Sequence, residues 1–294
     1  MIYDIALNIR YDYASPAAGG RHLVRLMPMD DPGRQRLIAG LLEIGPHPAE
    51  RQAWADFFGN RTVEFAFRAP HAGVDLSLKA RVERLEPAAP AGPSCALADL
   101  PGALSICRDL GPLSPLHFIA PSPRVPPSPE IAAYTREVLG TAALNVAEVV
   151  TTLGRALHRD IRFDASATTV DTPVAEAFAQ RHGVCQDISH IMIAGLRGVG
   201  IPAAYVSGFL RTIPPPGQPR LEGADAMHAW VRAWCGPDLG WLEFDPPNDC
   251  PAGADHVEVA RGRDYADVAP VKGMLRVAGG QTSRQAVDMV PLNG

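Results

Sequence analysis

Apolar residues recur at every second position through the first segment. Ile5, Leu7, Ile9, Tyr11 and Tyr13 interleave with Ala6, Asn8, Arg10 and Asp12. A period of two puts one set on each face of a β-strand. Val63, Phe65 and Phe67 repeat the pattern, and Val74, Leu76, Leu78, Ala80 and Val82 repeat it again. Pro70-His71-Ala72-Gly73 between those runs reads as a hairpin turn, with further turns at Gly19-Gly20 and Pro32-Gly33. Residues 1–87 are therefore read as an N-terminal antiparallel β-sandwich domain. His22, His47 and His71 are scattered within it and read as surface or loop residues.

The alternation stops where prolines crowd the chain from Pro87 to Pro129. Proline lacks the N–H that a helix interior or a central strand needs, so 88–129 is predicted to be a Pro-rich linker along the surface between two domains. Short turns are expected around Ala98–Leu110. Helical spacing follows. Ser128-Pro129-Glu130 carries a cap and a first-turn proline. Val146, Val149, Val150, Leu153 and Leu157 share one helix face, and Pro173–Gln180 forms a short helix. Ile188, Ile191, Met192, Leu196 and Val199 mark a buried helix that stops at Gly198 and Gly200-Ile201-Pro202, with Cys185 in its first turn.

The period then returns to two at Ala203–Leu210, at His228–Trp234 and at Trp241–Asp245. Shorter strand signals follow at 257–259, 275–277 and 286–290. Helices followed by strands, without regular alternation, give an α+β class, with 130–294 as the second domain.

Composition narrows the function. The chain has 294 residues, 47% of them hydrophobic, so two cores of ordinary size fit. A net charge of −5 argues against a nucleic-acid partner held by phosphate neutralisation. No apolar run reaches transmembrane length and no secretory leader is visible, so no membrane association and a cytoplasmic location are expected. The five cysteines form no C-x-x-C pair and are expected to be reduced; a Cys95–Cys107 disulfide is the alternative.

Cys185 is the first candidate for chemistry. A helix N-terminus favours a thiolate, and its unpaired N–H groups can donate to an oxyanion. The alternative is a small buried side chain. His228 and Asp245 share one sheet face if the hairpin pairs 228 with 245, 230 with 243 and 232 with 241. A carboxylate opposite an imidazole can fix its tautomer and support its charge. A cross-strand ion pair with no catalytic role fits the same spacing. His182, Cys185 and His190 raise a metal site, but their spacing matches no standard zinc pattern. Arg263, Asp264 and Tyr265 line a cleft or form a structural turn. Trp230, Trp234 and Trp241 line a groove or fill a core.

Three segments together, Gly183-Val184-Cys185-Gln186-Asp187, Met227-His228-Ala229-Trp230-Val231 and Gly240-Trp241-Leu242-Glu243-Phe244-Asp245-Pro246, resemble the bacterial branch of the transglutaminase-like superfamily. Thr172–Phe178, Tyr205–Leu210, Gly262–Val268 and the β segment Ile5–Met27 extend the resemblance over most of the chain. Ile188, where an aromatic is usual, and Ala204, where Arg is usual, depart from it.

The resemblance implies a papain-like α+β core with Cys185 as nucleophile, His228 as general base and acid, and Asp245 as orienter. It implies no cofactor and no metal. The expected function is a cysteine-dependent amide hydrolase or acyltransferase, a protease or amidase in the first case. It would act on a peptide or protein amide through a thioester. A non-catalytic interaction module of the same fold is the alternative, and a metal-dependent hydrolase is a third reading.

Overall fold

The computed structural model describes residues 1–85, 92–213, 223 and 225–292. In chain order the elements are β1 (Ile2–Ala17), β2 (Gly20–Val24), β3 (Gln35–Gly45), β4 (Glu50–Ala55), β5 (Arg61–Phe67) and β6 (His71–Arg84). Helices α1 (Leu100–Ile106), α2 (Pro129–Leu139) and α3 (Val146–Asp160) follow, then β7 (Arg162–Phe163), α4 (Val174–Gln180), β8 (His182–Gly183) and α5 (Cys185–Gly198). The chain continues through β9 (Ala203–Leu210), β10 (Ala226–Trp234), β11 (Trp241–Asp245), β12 (Cys250–Pro251) and β13 (His256–Gly262). It ends with α6 (Tyr265–Val268), β14 (Val271–Leu275) and β15 (Gln281–Leu292). The fold is α+β, as the order of periods implied.

Two antiparallel four-stranded sheets, ordered β15-β1-β6-β3 and β14-β2-β5-β4, share one hydrophobic core. Alternate residues of β1 (Tyr3, Ile5, Leu7 and Ile9) are buried in it with Leu76, Leu78, Val24 and Phe65. Strands β3 and β4 carried no alternating signal because each is an edge strand with mostly exposed side chains on both faces. His22 and His71 are buried, contrary to the surface reading. The His22 ring stacks on Phe65 at 5.0 Å, and burial pushes its pKa down to about 4.

The division of the chain at 130 also differs in part. Strands β14 and β15 do not join the core sheet. β14 pairs with β2, and β15 pairs with β1 from Ile2↔Leu292 to Tyr13↔Gln281. The C-terminal strands thus complete the sheets that the N-terminal strands begin. The boundary expected at 87–88 lies outside the described residues. From residue 92 onward, the Pro-rich stretch is hydrogen-bonded onto the core, through Cys95 N to Cys235 O at 2.8 Å and Trp241 Nε1 to Leu113 O at 3.1 Å. All five cysteines are free.

The core has an antiparallel sheet ordered β12-β11-β10-β9-β13, against which α5 packs. Ile188, Ile191, Met192, Ile193 and Leu196 of α5 are fully buried between that sheet and the other helices. Capping sets where the helices begin: Ser128 Oγ accepts from Ile131 N, and Asn145 with Glu148 forms a capping box on α3.

A buried ionic network ties the sandwich to the core sheet. Arg34 meets Glu243 at 2.9 Å, and Arg261 meets Glu258 at 2.6 Å and Asp31 at 3.1 Å. Asn60 exchanges two 2.8 Å hydrogen bonds with the Arg261 backbone. Charges withdrawn from water need such partners, so the network fixes how the two parts meet.

Candidate active site

Cys185 is the first residue of α5, half-buried, and preceded by Val184 in extended conformation (φ −96°, ψ −179°). Asp187, in the same first turn, turns back to accept the Val184 N–H at 2.9 Å and the Thr168 hydroxyl at 2.6 Å. Gly183 permits this: a Cβ there would sit 2.7 Å from the Asp187 Cβ. The first backbone bond of the helix is Ile188 N to Val184 O, so the N–H groups of Cys185 and Gln186 have no acceptor within the helix. The Gln186 side chain itself donates to Val170 O at 3.2 Å.

His228 on β10 donates from Nε2 to Asp245 Oδ2 at 2.8 Å. The hairpin register behind this contact is Val231↔Phe244 through Trp234↔Trp241, two residues displaced from the expected one. The connection is tighter than expected. Cys235 N bonds Gly240 O at 2.7 Å, and Gly236 (φ +103°) and Gly240 (φ +74°) supply the left-handed turn positions. A slip of two keeps every side chain on its face. Asp245 therefore reaches His228 diagonally rather than from the position directly opposite.

Nε2 carries the contact to Asp245, and Cys185 lines the same cleft as His228, close enough for its side chain to act on the ring. Burial disfavours the imidazolium. The hydrogen bond to Asp245, the neighbouring Cys185 side chain and the charges of both outweigh it and push His228 up to about 10. Burial likewise works against the Asp245 carboxylate, but the bonds from His228, His256 and Asn248 hold it well below the ordinary carboxylate range. The Asp245 side chain is fully buried.

Two partners of Asp245 had no signal in the sequence. His256 Nε2 lies 2.9 Å from Oδ2, and Asn248 Nδ2 donates to the same oxygen at 2.8 Å. His256 stands alone at the start of β13, and no local pattern links it to Asp245. Among the described residues, His228, Asp245 and His256 are the group whose donor atoms all lie within 4.8 Å of one another, and hydrogen bonds already join both histidines to the carboxylate. His182, Cys185 and His190 do not form such a group; His190 Nε2 instead accepts the Tyr265 N–H at 3.2 Å.

Cys185 and His228 open onto a cleft of about 260 Å³. Its far wall comes from the sandwich, through Ile9 and Tyr11 of β1 and Gln285 of β15. Tyr205 and Tyr265 line the core side. Among the described residues, no Asp, Glu, Lys or Arg side chain lines the cleft, and burial raises the phenol pKa of Tyr11, Tyr205 and Tyr265. Of the Arg263-Asp264-Tyr265 segment, Tyr265 alone is in the cleft. Arg263 pairs with Asp267 at 2.8 Å, and Asp264 caps α6 through the Ala266 N–H at 2.7 Å. None of Trp230, Trp234 and Trp241 lines the cleft. Trp230 is buried beneath the histidines and donates to Glu243 at 2.9 Å.

Comparison with known proteins bears on this geometry. A model of the bacterial transglutaminase-like N-terminal region matches residues 3–83, and one of the transglutaminase-like superfamily matches 132–246. An uncharacterized protein of Mycobacterium tuberculosis (strain H37Rv) is 35% identical over 280 residues, covering 89% of this chain and 84% of its own. The chain belongs to the transglutaminase-like superfamily. A second superfamily relative, an uncharacterized protein of Mycobacterium leprae, is 30% identical over 90% of this chain and 89% of its own. A candidate cysteine protease from Cytophaga hutchinsonii shares the superfamily fold with a TM-score of 0.75 at 21% identity, over 100% of this chain and 91% of that one. The α+β core with a β region at the N-terminus is thus a fold this chain shares with that solved structure.

Proposed function

We propose that the protein is a cysteine-dependent amide hydrolase or acyltransferase, with Cys185 as nucleophile, His228 as general acid and base, and Asp245 as orienter. One observation carries the reading: Cys185, at the N-terminus of a buried helix, shares a cleft with His228, whose ring is held by a buried carboxylate 2.8 Å away. The shared fold of the candidate cysteine protease from Cytophaga hutchinsonii is in keeping with it.

The steps follow from the parts. The Cys185 sulfur attacks the carbonyl carbon of an amide while the N–H groups of Cys185 and Gln186 face the forming oxyanion. His228 gives its Nδ1 proton to the departing amine, and the C–N bond breaks to leave a thioester on Cys185. Water or a second amine then attacks the thioester carbon, His228 takes its proton, and the thiolate is released. Asp245 keeps the ring in the tautomer with Nε2–H toward it and stabilises the charged form. Among the described residues the cleft is lined by no carboxylate, ammonium or guanidinium to pair with a charged group, which supports an uncharged segment of a peptide or protein as the acyl part of the substrate. No step calls for a cofactor.

Thiol labelling tests the reading against the interaction module. Iodoacetamide at neutral pH should modify Cys185 at least about tenfold faster than Cys95, Cys107, Cys235 or Cys250. Equal or slower labelling of Cys185 would favour the module. Loss of amide turnover on EDTA treatment, restored by zinc, would replace the cysteine mechanism with a metal one.

A further inference from the structure

The Asp245 carboxylate serves more than His228. Its Oδ2 receives His228 Nε2 at 2.8 Å, His256 Nε2 at 2.9 Å and Asn248 Nδ2 at 2.8 Å, while Oδ1 receives the Asn248 N–H at 3.3 Å. Three donors on one oxygen of a fully buried carboxylate fix its plane as well as its charge. His256 is buried and comes from β13, on the far side of β9 from the strand that carries His228.

Glycine makes that approach feasible. Gly208 lies opposite both His228 and Glu258 in β9, and a Cβ on it would strike the Trp230 ring at 2.5 Å. The Trp230 ring fills that space. It meets His256 edge-on at 5.2 Å and runs nearly parallel to His228 at 6.3 Å. Trp230 is in turn held by Glu243. Both imidazole planes are therefore set by one buried indole.

The proton on His256 is set by its backbone partner. Gly253 N–H donates to His256 Nδ1 at 3.2 Å, so Nδ1 is an acceptor and the proton sits on Nε2, aimed at Asp245. We propose that His256 is a positioning residue, whose Nε2–H clamps Asp245 in the orientation that serves His228. The inference deepens the cysteine-hydrolase reading and rests on it for its kinetic consequence. Its structural half, the tautomer and the clamp, stands without it. A neutral donor suits the task, because a second cation on Oδ2 would compete with the His228 imidazolium for the same charge.

The test compares the full-length protein with His256→Ala and His256→Gln, using amide turnover and ¹⁵N-edited spectra of the histidine rings. Gln carries an amide N–H₂ that can reach Asp245; Ala carries nothing. In the unaltered protein, His256 Nδ1 should show the shift of an unprotonated nitrogen at pH 7, and the His228 Nε2–H should be a slowly exchanging, downfield resonance. His256→Ala should lower kcat about tenfold or more with KM little changed, in line with the loss of other supporting contacts. It should also broaden the His228 Nε2–H signal by exchange. His256→Gln should restore most of both. Unchanged kcat in His256→Ala would overturn the proposal. So would a folded His256→Gln no better than His256→Ala, or a protonated His256 Nδ1 in the unaltered protein. If His256→Ala fails to fold, the Gln variant and the spectra of the unaltered protein decide. If the unaltered protein turns over no amide, the hydrolase reading fails, and the spectra still judge the clamp.

Discussion

Replacing Asp245 by Asn should make stability depend on pH in a defined direction. Burial alone would drive the His228 pKa down, yet it stands at about 10 against an ordinary 6.5, through Asp245 and Cys185. At roughly 1.4 kcal/mol per tenfold step, that rise corresponds to about 4–5 kcal/mol of preference for the imidazolium. It includes the same interaction that depresses Asp245, so the contact is counted once. Working in a Cys185→Ala background removes the thiol and leaves the part due to Asp245, about 2–3 kcal/mol.

The sign follows from linkage. A group whose pKa is raised by folding adds stability in full below its unfolded value and loses it as pH rises through the folded one. Asp245→Asn should therefore cost about 2–3 kcal/mol near pH 6, and the gap should close to below about 1 kcal/mol by pH 10. On the acid side the gap should also narrow, because below about pH 4 the Asp245 carboxyl takes up its proton in the unfolded chain while the folded one stays ionised to lower pH. Urea unfolding followed by tryptophan fluorescence at several pH values measures it. A gap that stays constant from pH 6 to 10, or widens, would refute the coupling.

Arg261→Met should destabilise the fold by about 3–5 kcal/mol in the same assay, because Asp31 and Glu258 would lose a buried cation; a loss under about 1 kcal/mol would show that the network does not hold the sandwich to the core. Cys185→Ala should abolish amide turnover, whereas Asp245→Ala should leave a residue of activity about 10²–10⁴-fold below the parent, since an orienter only biases tautomer and charge. Steady-state kinetics on one substrate rank the two. The parent profile should be bell-shaped, with both limbs belonging to the Cys185–His228 pair.

Much of this was legible in the chain because the elements near the site are half-buried or fully buried and keep their period. β1 and α5 declare themselves through Ile5–Ile9 and Ile188–Leu196. The His228 and Asp245 faces followed from parity, which survives a two-residue error in register. What the pattern concealed has physical reasons. β3 and β4 bury little on either face, so no alternation was imposed on them. The Gln281–Gln285 half of β15 is exposed and polar, yet backbone pairing with β1 carries it into the cleft wall. His22 sits on an aromatic stack that sequence spacing does not reveal. His256 and Asn248 meet Asp245 only once the sheet and its following turn have formed, and Tyr11 meets the cleft only once the sandwich has docked.

The central claim is that Cys185 carries an acyl group during turnover. Intact-mass spectrometry of the protein mixed with a peptide library, with and without an added amine, measures this directly. The account predicts a mass increase equal to an uncharged acyl fragment, mapped by digestion to Cys185, absent in Cys185→Ala, and discharged faster when a competent amine is present if transfer outpaces hydrolysis. Amide cleavage without any adduct at Cys185, or cleavage that persists in Cys185→Ala, would contradict it.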